Sequence, residues 1–73
     1  MIIKSCDLRP WCEENIGPMW KTWDWWWIDE DYRLRFPNKI KIELEFGYAK
    51  KNMPAVVSFK NEEDLMLFKL RWL

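Results

Sequence analysis

Lys39-Ile40-Lys41-Ile42-Glu43-Leu44-Glu45-Phe46 alternates charged and apolar side chains without a break. That period belongs to a β-strand with one face buried and the other in water. Four apolar side chains on one face need a covering layer, and the C-terminal segment supplies it. Asn61 is a sound N-cap, and Glu62, Glu63 and Asp64 follow it, three acids in a first turn where the helix dipole favours them. A helix is expected to about Leu70. Residues 71–73 stay open, because Phe68, Leu70 and Trp72 alternate with Lys69 and Arg71 as a strand would.

Working outward, Pro37-Asn38 marks the turn before the alternating strand, and Gly47 to Pro54 reads as a polar loop carrying Lys50 and Lys51. Ala55 to Phe59 is a short strand whose unbroken apolar character suits a central position. Near the start, Ile2 and Ile3 are β-branched, and Asp7 and Pro10 have the types of an N-cap and a first-turn residue. Trp11 to Ile16 then reads as a short helix stopped by Gly17 at C′ and Pro18. Met19 to Phe36 fits both periods, and its Trp, Tyr, Thr and Ile content favours strand. Asp29-Glu30-Asp31 is expected to turn the chain between two strands. The sum is a β-α-β-β-β-α order in a single domain, residues 1–73. The fold class is α+β, a small antiparallel β-sheet of three to four strands with a short N-terminal helix and a C-terminal helix on one face.

Composition limits the chemistry. A chain of 73 residues buries only about 60% of its unfolded surface, yet thirteen aromatics, seven of them Trp, can fill a core without disulfides. With no histidine, Ser-His and Cys-His catalysis is absent. Cys6 and Cys12 alone do not make a four-ligand zinc site, and their spacing is not that of a redox pair. The two are expected to be thiols packed as small hydrophobes. We therefore expect no catalytic residue, no metal and no cofactor, and a protein that is not an enzyme. No run of eighteen apolar residues is present, so no membrane association is expected. The apolar stretch at the N-terminus is too short for a signal peptide, and the expected location is the cytoplasm.

Charge is neutral overall but unevenly distributed. Residues 1–31 hold seven acids against three bases, a net of −4, and residues 32–60 hold seven bases against two acids, a net of +5. Either the molecule is polarised or acidic and basic strands meet across the sheet. Asp29, Glu30 and Asp31 lack the spread of a calcium loop and read as a solvated turn.

The Trp cluster is the strongest signal. On a strand, Trp23, Trp25 and Trp27 point to one face while Trp26 and Ile28 point to the other. A two-layer domain has one core face, so one set is expected to lie exposed as an aromatic patch. Seven indoles exceed what a small core needs, whereas Trp11, Trp72 and one strand set suit core filling. The candidate partner-binding residues are Trp20, Trp23, Trp25, Trp26 and Trp27.

The string FKNEEDLMLFKLRW, Phe59 to Trp72, resembles the ending of many short uncharacterised proteins of large tailed bacteriophages. The WCEENIG segment, residues 11–17, is similar to a helix-to-glycine segment near the start of such proteins. The resemblance implies a viral origin and a setting in the cytoplasm of an infected bacterium, with no catalytic residues to carry over.

Exposed Trp anchors protein interfaces and also stacks on bases. Asp24, Asp29, Glu30 and Asp31 flank the indoles in sequence and would repel phosphates. The expected function is a protein-binding module, an inhibitor-like modulator of a host or phage protein, whose partner has basic or apolar features. The alternatives are a nucleic-acid or nucleotide binder using Arg33, Arg35, Lys39 and Lys41 beside the stacked indoles, and a structural, self-associating subunit forming a homo-oligomer.

Overall fold

The computed structural model describes residues 1–47 and 51–73. A four-stranded sheet is built from β1 (Ile2–Lys4), β2 (Trp23–Trp27), β3 (Asn38–Phe46) and β4 (Lys51–Phe59), in the order β1-β3-β4-β2. Two helices, α1 (Ser5–Asn15) and α2 (Glu62–Trp72), complete the α+β architecture. The order of elements is the expected one. The sheet is mixed, because β1 runs parallel to β3 while β4 is antiparallel to both of its neighbours. β1, β2 and β3 therefore share one direction and β4 alone opposes them.

This topology determines where the connections go. From β1 to β2 the chain crosses the whole sheet in one direction, through α1, and from β2 to β3 it returns over β4 in the other. Crossovers between parallel strands keep one hand, so two that travel in opposite directions must pass over opposite faces. α1 and α2 pack on the face formed by β1, β3 and β4, and residues 28–37 take the other, where a 3-10 segment (Ile28–Arg33) contacts β2 and β4. Val56, Ser58 and Asp24 are buried on that second face and so is Leu34. The domain thus has three layers at its β2–β4 end and two elsewhere.

The main core lies under the helices. Ile3, Ile42, Leu44, Ala55, Val57, Phe59 and Trp23 from the strands meet Leu8, Cys12 and Phe68 from the helices. The β3 alternation behaves as its sequence implies, with Ile42 and Leu44 buried and Lys39, Lys41 and Glu43 exposed. β4 starts at Lys51, so the segment expected as a loop is strand from that residue on, and Lys50 lies outside the described residues. Pro54 is tolerated there for a specific reason. Its partner Glu43 turns its N–H to Met1 on the β1 side, so Pro54 faces away from β3, towards the side where β2 has ended at Ala55.

The helices differ from expectation at their ends. α1 begins at Ser5, so neither Asp7 nor Pro10 has its expected capping role, and Pro10 lies inside the helix. Its end matches the sequence: the N–H groups of Ile16 and Gly17 both donate to the Cys12 carbonyl, and Gly17 takes φ +146°, a conformation glycine adopts without strain. α2 continues as helix through Trp72. Docking explains this, because Trp72 belongs to an aromatic cluster with Trp11 and Phe68, ring centroids 6.0–6.3 Å apart. Met19 to Phe36 contains one strand and not two. After Trp27 the chain enters the 3-10 segment, kinked at Glu30, since it must leave the sheet plane to cross it.

Gly17 gives a direct test of this arrangement. A Cβ there would stand 2.8 Å from Thr22 Oγ1, in a turn that also positions Trp23. Gly17→Ala is expected to cost about 1–3 kcal/mol from backbone strain and crowding, read as a lower urea midpoint at unchanged slope.

Candidate functional site

Among the described residues β2 is a sheet edge whose strand partner is β4, with an isolated bridge from Met19 to Trp23 beside it. Its backbone alternation follows from two bonds. The Thr22 carbonyl accepts from Lys60 N–H on the β4 side, and the Trp23 carbonyl accepts from Trp20 N–H on the outer side. In an antiparallel pair the direction changes at each residue, so Trp25 and Trp27 turn their N–H and C=O groups outward.

Side chains alternate across the faces. Trp23, Trp25 and Trp27 are in register with Phe59, Val57 and Ala55, and Asp24 and Trp26 with Ser58 and Val56. The first set is on the helix face. Trp23 is fully buried and its Nε1–H donates to the Gly17 carbonyl at 2.9 Å. It is a core residue with no exposed surface, unlike the other four candidate binding residues. Trp25 and Trp27 form an edge-to-face pair, centroids 5.0 Å apart, and Trp27 reaches Phe46 at 5.9 Å. The indoles cover the β2 end of that face themselves, since α1 and α2 pack chiefly on β1, β3 and β4.

Among the described residues, the opposite face of the sheet carries no set of strand indoles. Trp26 is its one strand aromatic, Ile28 belongs to the 3-10 segment, and residues 28–37 cover this end. The expectation of an exposed indole set assumed two layers, and the crossover adds a third. The site is instead a cleft of about 220 Å³ beside β2, lined by Trp20, Trp25, Trp26, Arg33, Leu34 and Arg35. Arg33 lies over the Trp26 ring at 5.5 Å and Arg35 over the Trp20 ring at 5.5 Å. Sequence placed these arginines in a second strand and among the nucleic-acid candidates; the crossover brings them to the indoles.

Two of the neighbouring acids, Glu30 and Asp24, are engaged within the chain. Glu30 accepts from Trp26 Nε1 at 2.8 Å and pairs with Arg33 at 2.9 Å. Asp24 is buried and accepts a hydrogen bond from Ser58 Oγ at one carboxylate oxygen, while the other has no partner among the described residues. Lys39 and Lys41 are opposite Ser58 and Val56, not acids. The ion pairs among the described residues are Arg9–Glu13 and Arg33–Glu30, and the opposite charges that meet in register across the sheet are Lys4 and Glu45, on β1 and β3. Trp20 is 46% exposed and sits at φ +75°, where a bulky side chain is an outlier that costs of order 1 kcal/mol.

Cys12 is buried in the core, and burial, with the charge of Glu13 adding to it, pushes its thiol up to about 12. Cys6 is exposed. Among the described residues no three His, Cys, Asp or Glu side chains are grouped to hold a metal, and no helix is long and apolar enough to cross a membrane. Comparison with protein-family models, with curated proteins and with solved structures finds no match for the chain.

Two outcomes are expected from these environments. A thiol reagent at pH 8 should modify Cys6 and leave Cys12 unreacted until the chain unfolds. Because the folded Cys12 pKa exceeds the unfolded value of 9.0, the unfolded state loses its proton first, and this thiol's contribution to stability is complete below pH 9 and declines from there to about pH 12. Separately, Ser58→Ala removes the one donor to the Asp24 carboxylate and should cost about 1–3 kcal/mol, whereas Asp24→Val combined with Ser58→Ala should cost less than the sum of the two single changes. Denaturant melts of the three variants measure it.

Proposed function

We propose that the protein is a small binding module, not an enzyme, which occupies the surface of another protein through the Trp–Arg cleft beside β2. In the setting that the phage resemblance implies, that partner is a host or phage protein in an infected bacterium. The observation that carries the reading is the convergence of Trp20, Trp25 and Trp26 with Arg33 and Arg35 at an edge strand. Trp and Arg are the residues most often found as interface anchors. An edge strand adds main-chain donors and acceptors for an extended segment of a partner. The strained φ of Trp20 also supports the reading, since strain without a packing benefit tends to sit at functional positions. With Glu30 paired and Asp24 buried, the charged side chains that line the cleft are those of Arg33 and Arg35. The partner segment is therefore acidic, unlike the basic or apolar partner that sequence proximity of the acids suggested.

A second reading, nucleic-acid binding, is favoured by one observation: Lys39 and Lys41 share the sheet face of Trp26, so Arg33, Arg35 and the lysines could track a phosphate chain. Two features favour protein. Arg33 and Arg35 already cover faces of Trp26 and Trp20, which leaves less indole surface for bases, and the outward backbone of β2 offers hydrogen bonds to a peptide chain.

The test is affinity capture from bacterial lysate with wild type, Trp20→Asn and Arg35→Glu. Asn accepts the positive φ of position 20, so stability should change by less than about 1 kcal/mol, while each substitution should abolish capture of the wild-type partner. Capture that survives both substitutions would remove the cleft from the reading. Binding of single-stranded DNA that quenches Trp emission and withstands added salt would replace the protein partner with nucleic acid.

A further inference from the structure

Asp7, Pro10, Trp11 and Glu14 follow one another at the helical spacing of three and four, so they share one stripe of α1. The last turn of α2 lies against that stripe, because Trp72 packs edge-to-face on Trp11 with ring centroids 6.0 Å apart and planes at 72°. Between the two helices is a cavity of about 280 Å³, lined by these four side chains with Arg71 and Trp72. It shares no lining residue with the cleft beside β2.

The lining selects for positive charge. Indole faces attract cations, and Arg71 shows that these do, since its guanidinium carbon lies 4.2 Å from the centre of the Trp72 ring. The carboxylates remain available: neither Asp7 nor Glu14 takes part in an ion pair among the described residues, and Asp7 accepts a weak contact from Cys6 Sγ at 3.8 Å. Two carboxylates against one guanidinium leave one negative charge in excess, which a single monocation balances. Asp7 and Glu14 are two turns apart, about 10 Å along the axis, so a cation over Trp11 has a carboxylate one turn away on either side. A hard metal ion is poorly served, because no three His, Cys, Asp or Glu side chains are grouped among the described residues and the walls between the acids are indole and pyrrolidine, which offer no oxygen ligands. A methylated ammonium suits the same walls, since its methyl groups pack on rings while its charge faces them.

We propose that the groove between α1 and the last turn of α2 binds a methylated ammonium group, held against Trp11 and Trp72 with Asp7 and Glu14 as its counter-charges. Arg71 competes for the Trp72 ring, and Asp7, Pro10 and Glu14 are exposed to water. The affinity of an isolated head group is accordingly low, with a dissociation constant on the order of 1–10 mM. The group has two sources, a free quaternary amine or a trimethylated lysine side chain of a protein, which share this chemistry.

NMR titration of the isotope-labelled chain with choline chloride, to about 50 mM at constant ionic strength so as to pass that constant, tests the proposal. The indole N–H resonances of Trp11 and Trp72 are expected to shift to saturation while those of Trp20 and Trp26 stay in place. The neutral analogue of choline, in which carbon replaces the quaternary nitrogen, should bind at least about fivefold more weakly, since it keeps the shape and loses the charge. Asp7→Asn and Glu14→Gln, both at exposed positions, should each weaken choline at least about threefold, and Arg71→Gln should tighten it by removing the competing cation. A peptide carrying one trimethyllysine, titrated in the same way, separates the sources: tighter binding than choline assigns the site to a protein side chain, and equal or weaker binding to a free amine, each in support of the site. No saturable shift with either cation, a neutral analogue that binds as tightly as choline, or affinity unchanged in both carboxylate variants would each overturn the proposal.

Discussion

Ala55 to Phe59 are five consecutive buried residues, and a strand buried at every position needs cover on both faces. This requirement of β4 organises the molecule. The helices supply one cover, with Phe68 stacked against Phe59 at a centroid distance of 5.2 Å. The other cover is residues 28–37, an irregular segment with one buried apolar side chain, Leu34, and no regular helix to present a wide apolar face. It suffices because it has little to bury: β4 offers it only Val56 and Ser58, and β2 adds Asp24 and Trp26. A polar pair, Asp24 with Ser58, is tolerated beneath it because each hydroxyl or carboxylate that finds a partner avoids much of the desolvation penalty. The orphaned second oxygen of Asp24 shows that the compensation is incomplete.

The same crossover creates the cleft. A hairpin turning at Asp29-Glu30-Asp31 would have set Arg33 and Arg35 on a second strand, across from Trp27 and Trp25. Sending the return path over the sheet lays them against Trp26 and Trp20 instead. The chain's lengthwise separation of charge, acidic before residue 31 and basic after it, is thereby folded back on itself around β2. Glu30 pairs with Arg33 within one turn, an exposed contact worth only some tenths of a kcal/mol. Its larger effect is positional, since the same carboxylate accepts from Trp26 and so fixes both a ring and the guanidinium above it.

What the sequence disclosed follows from what local rules can carry. The alternation from Lys39 to Phe46, the apolar run from Ala55 to Phe59, the acidic start of α2 and the stop at Gly17 are all local signals, and each appears in the fold where it was read. The parallel pairing of β1 with β3 leaves no local trace, because three residues of strand, Ile2 to Lys4, have no periodicity to read. The single strand in Met19 to Phe36 was obscured by Trp, whose β-propensity is high in any half-buried setting. Nothing in Ile28 to Phe36 announces a crossover; it follows only once the strand order is known. The role of Trp23 was equally hidden, since alternation names two sets of indoles without saying which faces the helices, and the number of layers decides whether the other set is exposed.

The seven indoles sort by what surrounds them. Trp23 donates to a backbone carbonyl inside the core, Trp11 and Trp72 pack with Phe68, and Trp25 and Trp27 seal the open end of the helix face. Each of these has a structural use that a smaller residue would serve less well, even Trp72, whose buried N–H lacks an acceptor. Trp20 differs. It stands half-exposed in a loop, holds a positive φ that glycine or asparagine would take at less cost, and gives its ring to Arg35 at the rim of the cleft. Local rules broken without a packing return mark the positions where stability has yielded to another requirement. Two such breaks, the backbone of Trp20 and the unpaired oxygen of Asp24, lie in or beside the same edge strand. The Trp72 indole N–H on α2 is a third, so the breaks are not confined to β2, and it is the strained, half-exposed backbone of Trp20 that supports our proposal of a contact at this edge.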